Sequence, residues 1–158
     1  MGETAQVLIR EAKMTDAEAI YEIGKLCFTD AWRKETVIHD MEGKQSQYFV
    51  AEKEGQVIGY GCFWFVADEG QLVNIGVRPE NRRQHIGEAI LSRGLEEAKH
   101  CGMKTLFLEV RVSNASAQAM YQKFGFQNLG RRKNVYDLPI EDGYVMEVPL
   151  TIGDKTQI

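Results

Sequence analysis

The sequence predicts a single α/β domain in which strands and helices are interspersed. Apolar residues recur with strand period in some segments and with helical period in others. The 158 residues are the length of one ordinary domain, and no repeat, low-complexity run or linker divides them. The apolar fraction of 44% and the charged fraction of 27% fit an average soluble globular protein and argue against disorder, collagen and coiled coil. We expect one domain at 1–158, with a core at about 6–150 and a tail at 151–158.

The first predicted elements are a strand and two helices. A short strand spans Gln6 to Ala12, and Thr15 to Glu18 then have the spacing of a helix capping box. A second short helix is expected from about Arg33 to Met41. The first helix continues with residues at helical period: Ala19, Ile20, Ile23, Leu26 and Cys27.

A β-hairpin and a further strand follow these helices. Tyr48 to Ala51 and Val57 to Val66 have strand composition, and Glu54-Gly55 between them predicts a turn slightly longer than two residues. Gln71 to Val77 predicts the next strand, which Arg78-Pro79 closes.

The second half predicts two helices and three strands. Ile86 to Cys101 is the clearest helix, because its apolar residues share one face and Gly102 follows as a C-terminal glycine. Thr105 to Val110 is nearly all apolar, which is typical of a strand covered on both faces. A helix capped by Asn114 or Ser113 ends at Gly125, and two strands near 127–133 and 143–149 complete the order β-α-α-β-β-β-α-β-α-β-β.

Charge and composition exclude several kinds of site. The net charge of −4 and the pI of about 5.5 disfavour nucleic-acid binding. The three cysteines have no CxxC spacing and the three histidines no HExxH pattern, so neither a disulfide framework nor a metal site is expected. The longest uncharged apolar stretch, Gly59 to Ala67, is about half of a membrane span. The start of the chain lacks the apolar core of a signal peptide, so we expect a cytoplasmic protein.

Two features of the sequence suggest chemistry. The polar run from Arg82 to Gly87 leads into the long helix, whose first N–H groups and dipole suit a diphosphate, although a plain solvated helix start would look the same. Glu109 interrupts an apolar strand, where a carboxylate needs a cleft or a partner and where its pKa tends to rise, as suits a general base. The alternative for Glu109 is a salt bridge at the strand end, with Arg111 as a candidate partner. Without further context, Tyr121 is more typical of a core residue, and Asn114 is more typical of a helix cap.

These pieces occur in an order that resembles the GNAT family of N-acetyltransferases over nearly the whole chain. The acetyl-CoA signature of that family, Gln/Arg-x-x-Gly-x-Gly/Ala, is similar to Arg82-x-x-His85-x-Gly87, in which His85 replaces the first glycine. Within the family, the chain most resembles bacterial enzymes that acetylate the N-terminal alanine of a ribosomal protein. The stretches that carry this resemblance are 31–32, 74–77, 106–114, 119–126, 132–136 and 141–142, with Val135 as a departure where relatives often have tyrosine.

The resemblance implies a GNAT fold, with a mixed, mostly antiparallel central sheet flanked by helices. It implies acetyl-CoA as the co-substrate without a metal, Glu109 as general base and Tyr121 as general acid. Coenzyme contacts would come from the strand residues Ile75, Gly76 and Val77, from Arg82, Arg83, Gln84, His85, Ile86, Gly87 and Glu88 around the diphosphate, and from Asn114.

The implied reaction is direct attack of an amine on the thioester. Glu109 would take the proton of the amine, a backbone N–H near Val77 would stabilise the oxyanion, and Tyr121 would protonate the departing thiolate. A protein N-terminus, most of all that of a ribosomal protein, is the expected acceptor. Acidic residues in segments expected to edge its groove would suit a basic peptide, although solvated loop charge is the plainer explanation: Asp30, Asp40, Glu42, Asp137, Glu141 and Asp142. A small amine as acceptor, or a non-catalytic module that binds acetyl-CoA, are the alternatives.

Overall fold

A computed structural model describes residues 6–150 of the chain, so the predicted tail at 151–158 and the first five residues lie outside the described residues. Its helices are α1 (Ala17–Cys27), α2 (Lys34–Met41), α3 (Ile86–His100) and α4 (Ala115–Lys123). Its strands are β1 (Val7–Glu11), β2 (Ser46–Lys53), β3 (Gln56–Val66), β4 (Glu69–Val77), β5 (Thr105–Arg111), β6 (Gln127–Asp137) and β7 (Ile140–Pro149). The predicted order of elements is confirmed, with two 3₁₀ turns added at Met14–Asp16 and Pro79–Asn81.

The seven strands form one mixed sheet in the order β1-β2-β3-β4-β5-β7-β6. The pairs β1–β2, β5–β7 and β6–β7 are antiparallel, whereas β4 and β5 run parallel, with Glu69 opposite Thr105 and Leu72 opposite Leu108. A parallel pair needs a crossover connection, and α3 lies in the chain between these two strands. The predicted mixed, mostly antiparallel sheet flanked by helices is confirmed.

The described residues group into two compact units. The first comprises the chain up to Phe63 together with Asn74–Gly94, and the second comprises Trp64–Val73 and the chain from Leu95 onward. In the first unit, Phe63 is fully buried, and a Cβ on Gly94 would lie 2.0 Å from the Phe63 ring. Helix α3 therefore packs on β3 at a depth that only glycine allows at position 94.

The core of the second unit is built on alternate residues of β5. Leu106, Leu108 and Val110 are buried, while the residues between them are only half-buried. The expectation that both faces of this strand are covered is therefore too strong, because the apolar run continues through positions that retain contact with solvent. Glu109 is one of these half-buried positions.

Three local expectations differ from the structure. Leu26, expected on the apolar face of α1, is 52% exposed. The hairpin turn between β2 and β3 has only the two residues Glu54 and Gly55, both with positive φ (53° and 79°), as a tight turn between twisted strands requires. The capping box predicted at 15–18 does not form as such. The carboxylate of Asp16 instead accepts the Lys13 N–H at 2.7 Å, one turn earlier.

Asp16 also belongs to an ion network that fixes the entry into α1. Its two carboxylate oxygens accept from the Arg10 guanidinium at 2.8 and 3.1 Å, and Nε of Arg10 donates to Glu52 on β2 at 2.8 Å. Asp16 is only 7% exposed, so its charge depends on these partners. The Arg10 hydrogen bonds lower the pKa of Asp16 more than burial raises it.

Candidate active site

In the first unit, the predicted diphosphate residues form an exposed loop that leads into helix α3. Arg82, Arg83, Gln84 and His85 are exposed, and α3 begins at Ile86 with the Ala89 N–H bonded to the His85 carbonyl at 3.1 Å. The first N–H groups of a helix have no partner within the helix, and the dipole of 15 aligned residues favours an anion there. The loop therefore supplies donors and positive charge at one place.

The backbone of this loop explains the position at which His85 replaces the family's glycine. Arg83 has φ 65° and His85 has φ 63°, so both lie in the left-handed region that glycine enters most readily. Histidine tolerates this region better than most side chains do. A positive φ turns successive N–H groups toward a common side, which is how short loops bind phosphates.

The start of α3 is anchored by its own apolar residues. Ile86 and Ile90 are buried in a cluster with Ala51 of β2 and Ile58 of β3, and Ile75 and Val77 of β4 pack against it. The side chain of Ile86 is thus a core group, which leaves only its backbone for a ligand. The carboxylate of Glu88 lies 3.4 Å from Nδ1 of His85.

Arg82 is held by the end of β4 and by α1. Its Nε donates to the Val77 carbonyl at 3.1 Å, its terminal nitrogen lies 3.4 Å from Sγ of Cys27, and that thiol also contacts the Val77 carbonyl at 3.4 Å. A Cβ on Gly76 would lie 3.0 Å from the same sulfur, so a larger residue there would press on the Cys27 side chain of α1. Arg83, by contrast, has no ion pair or side-chain hydrogen bond among residues 6–150 and is the more available charge.

Glu109 lies in the second unit, on β5, where it pairs with an arginine of β6. Its Oε2 accepts from Arg132 at 3.0 Å, and its side chain keeps 29% exposure, while Oε1 has no partner in the described part of the chain. A salt bridge was one expectation for Glu109, but the partner is Arg132 and not Arg111. Arg111 instead pairs with Glu141 of β7 at 3.0 Å.

The side chains around Glu109 leave little room for a side chain at Gly143 of β7. The carboxylate stem lies 3.2 Å from where a Cβ of Gly143 would be, and Val135 and Tyr136 approach the same point at 2.9 and 3.0 Å. Glycine at 143 therefore lets the β6 side chains close over this part of the strand. The carboxylate is left with one bound oxygen and one open oxygen, an arrangement that can accept a proton.

Tyr121, on α4 in the second unit, is almost completely buried. It is 6% exposed, and its ring packs at 5.7 Å on that of Phe126. Burial raises the pKa of Tyr121 above its ordinary value of 10.0, so its hydroxyl stays protonated at physiological pH. A protonated phenol can donate a hydrogen bond or a proton, and it cannot serve as a base.

Asn114 caps helix α4, which confirms the local expectation. Its Oδ1 accepts the N–H of Ala117 at 3.2 Å and the hydroxyl of Ser116 at 3.4 Å. The expected helix therefore begins after Asn114, and Ser113 does not cap it. A coenzyme contact of Asn114 remains a prediction.

The first unit also contains an open cleft that the sequence patterns did not predict. Five aromatic rings line it: Tyr21, Phe28, Trp32, Tyr48 and Tyr60. Asp30 and Asn74 add polar groups to the lining. The sequence had pointed to Asp30 as an acidic residue near the acceptor, but aromatic residues spread over 40 positions give no local motif.

No group of three or more metal-ligating side chains occurs within residues 6–150. Among the helices that the structure describes, none has the length and hydropathy to cross a bilayer.

Comparison with known proteins identifies the family. The model of the acetyltransferase (GNAT) family matches residues 17–126. A Bacillus subtilis protein that carries a provisional assignment as a ribosomal protein bS18-alanine N-acetyltransferase is 39% identical over 90% of this chain and 95% of its own. The crystal structure of the ribosomal-protein-S18-alanine N-acetyltransferase from Escherichia coli superposes with a TM-score of 0.87 at 30% identity, over 97% of this chain and 99% of that one.

A second solved structure shares the fold at lower identity. It is yncA of Salmonella typhimurium with its cofactor acetyl-CoA, with a TM-score of 0.82, 21% identity and coverage of 93% of this chain and 95% of that one. The family model covers more than half of the chain, and the identities extend over most of its length. The chain therefore belongs to the GNAT family of acetyltransferases.

Proposed function

We propose that this protein transfers the acetyl group of acetyl-CoA to the N-terminal α-amine of a ribosomal protein, with bS18 and its alanine as the expected acceptor. The observation that carries this proposal is the match, over nearly the whole chain, to proteins named for that reaction. With a ribosomal acceptor, we expect the reaction to take place in the cytoplasm.

The loop before α3 supports the assignment of acetyl-CoA as co-substrate. Its positive φ values at Arg83 and His85 and the free N–H groups at the start of α3 fit a diphosphate. In this assignment the residues from Arg83 to Glu88, Ile86 among them, contribute backbone N–H groups, and Arg83 also contributes charge. Arg82 fixes the Val77 carbonyl at the end of β4, next to Ile75 and Gly76.

Glu109 is assigned as the general base. An ammonium cannot attack because its lone pair is occupied, and a protein α-amine with a pKa of about 8 is roughly one tenth neutral at pH 7, whereas a lysine near 10.4 is almost wholly charged. A carboxylate that accepts the remaining proton, directly or through water, is therefore enough for an α-amine. The open Oε1 of Glu109 is the atom that would accept it.

Tyr121 is assigned as the donor to the leaving sulfur. A free thiol has a pKa of about 8.5, so the thiolate that leaves is stabilised by a neutral hydroxyl that gives up its proton as the charge develops. The raised pKa of Tyr121 ensures that this proton is present over the working range of pH.

Two other functions make different predictions. A GNAT enzyme for a small amine would turn over free amines as well as peptides. A module that only binds acetyl-CoA would release no CoA with any amine, although Glu109 and Tyr121 would then have no role.

The test is CoA release with acetyl-CoA and two matched basic peptides. One peptide has a free N-terminal alanine and no lysine, and the other has a blocked N-terminus and one internal lysine. We expect turnover with the first peptide alone. Turnover with neither peptide, together with measurable turnover of a small amine, would contradict the proposed acceptor.

A further inference from the structure

The aromatic cleft of the first unit has a buried floor and a half-buried rim. Tyr48 and Tyr60, 8% and 4% exposed, form the floor, with their rings nearly parallel (13°) and 6.5 Å apart. The Tyr48 hydroxyl donates to Asp40 at 2.6 Å, which holds this ring in place. Phe28 and Trp32 are half-buried at the rim. A concave surface lined mainly by aromatic rings with a few polar groups is of the kind that binds side chains and small ligands.

Three polar groups in the cleft lack partners in the protein. Asp30, which is exposed, and Asn74, which is half-buried, line the cleft together with Tyr60, and none of the three side chains hydrogen-bonds to another group within residues 6–150. Tyr60 is the most buried of the three at 4% exposure, and as part of the cleft lining its hydroxyl is available to a group bound there. A few polar side chains in a mainly aromatic lining are typical of a specific ligand site.

The lining favours a cation over a neutral or anionic group. The faces of Trp and Tyr rings attract cations, the one charged lining residue is the acid Asp30, and the chain as a whole carries a net charge of −4. The protein already uses this interaction at the edge of the cleft, where Nζ of Lys25 lies 4.5 Å from the centre of the Tyr21 ring.

We propose that this cleft binds a cationic side chain, a guanidinium or an ammonium, of the acceptor peptide and so selects basic N-termini. The inference rests on the proposed function. Asn74 in the lining directly precedes Ile75 on β4, the strand assigned to the coenzyme, so a peptide held here would lie beside that strand. Asp30 would pair with the charge, the aromatic rings would enclose it, and Tyr60 and Asn74 would accept its N–H groups.

The test measures binding separately from catalysis. Short alanine-led peptides with one arginine at position 2, 3 or 4 are compared with the same peptides carrying citrulline, which has the shape of arginine without its charge. Each peptide is prepared in an N-acetylated form, in which the α-amine cannot contribute, and in a form with a free α-amine. The dissociation constants of both forms are measured by calorimetry. We expect one arginine peptide to bind about five- to tenfold more tightly than its citrulline counterpart.

Two variants and one control locate the effect in the cleft. Asp30→Asn should abolish most of the preference for arginine, and Tyr60→Phe should weaken binding of the arginine peptide about threefold without loss of fold, since its hydroxyl has no partner in the protein. Glu54→Gln removes one exposed negative charge from the hairpin turn of the same unit and should leave the preference unchanged.

Equal binding of arginine and citrulline peptides, or a preference that Asp30→Asn leaves intact, would overturn the inference. So would an Asp30-dependent affinity seen only for peptides with a free α-amine, because the cleft would then bind the terminal ammonium. CoA release with the unblocked peptides is followed in parallel. Its absence would contradict the proposed function, while the binding data would still decide the role of the cleft.

Discussion

At the scale of single residues, the proposed chemistry depends on the carboxylate of Glu109, only one of whose oxygens takes part in a salt bridge. Arg132 occupies Oε2 of Glu109, and the other oxygen remains open. Removing the carboxylate should lower kcat/KM most at low pH, where only a small fraction of the acceptor amine is neutral. Glu109→Gln should therefore lower kcat/KM about 100-fold near pH 7, and the loss should shrink as the pH rises past about 8.

The pH profile of CoA release by Glu109→Gln is the measurement, with Arg132→Gln measured in parallel. Arg132→Gln removes the same ion pair but keeps the base, so it should lower kcat/KM clearly less than Glu109→Gln does. If both variants lost the same fraction of activity at every pH, the role of Glu109 would be to form the salt bridge and not to accept a proton. Acetyl-CoA affinity should be nearly unchanged in Glu109→Gln.

Tyr121 gives a second prediction at this scale. Tyr121→Phe removes only the hydroxyl from a buried ring, so coenzyme binding and the fold should persist while turnover falls about 100-fold. Because burial raises the pKa of Tyr121, the wild-type profile should show no loss of activity below pH 10 from its ionisation. Full turnover by Tyr121→Phe would remove it from the mechanism.

At the scale of the element, helix α1 is fixed by the buried carboxylate of Asp16. Asp16→Asn keeps the shape but weakens the bonds to Arg10 and Lys13, and should lower the free energy of unfolding by about 1–3 kcal/mol at pH 7. The native pKa of Asp16 is lowered, so its contribution is complete above the unfolded value of about 3.9 and is lost as the pH falls through the native value.

Urea unfolding of wild type and Asp16→Asn from pH 7 to pH 3 tests this, with Glu18→Gln as the control. Glu18 is a carboxylate in the first turn of the same helix, and its ion pair with Lys34 is exposed. Glu18→Gln should therefore change the free energy of unfolding very little. If the difference in unfolding free energy between wild type and Asp16→Asn grew toward low pH, the proposed contribution of the Asp16 carboxylate would be wrong.

The elements were predictable because each has a strong local pattern. The periodicity of α3, the glycines after α3 and α4 and the cap at Asn114 are all set by nearby residues. Tertiary partners were not predictable. The periodicity of α1 could not show that Leu26 faces solvent, nor could the strand pattern show that Glu109 would pair with Arg132, 23 positions away. The aromatic cleft escaped notice for the same reason, because its lining comes from α1, α2, the segment between them and three strands.

At the scale of the whole molecule, binding of the co-substrate should stabilise the native state by mass action. At acetyl-CoA concentrations 100 times the dissociation constant, the gain is about 2.7 kcal/mol, or roughly 5–11 °C in Tm for a chain of this size. Differential scanning calorimetry against acetyl-CoA concentration provides the measurement, with acetate as the control. A Tm that stayed constant up to millimolar acetyl-CoA would contradict the assigned coenzyme loop.

The left-handed backbone at His85 has a consequence for how such proteins are found. In the proposed diphosphate loop, the backbone at this position needs a left-handed torsion angle, and glycine is only the residue that adopts it most readily. A search that insists on glycine here would pass over this chain. Histidine, asparagine and aspartate, which enter the same region most readily among the other residues, belong in the pattern as well.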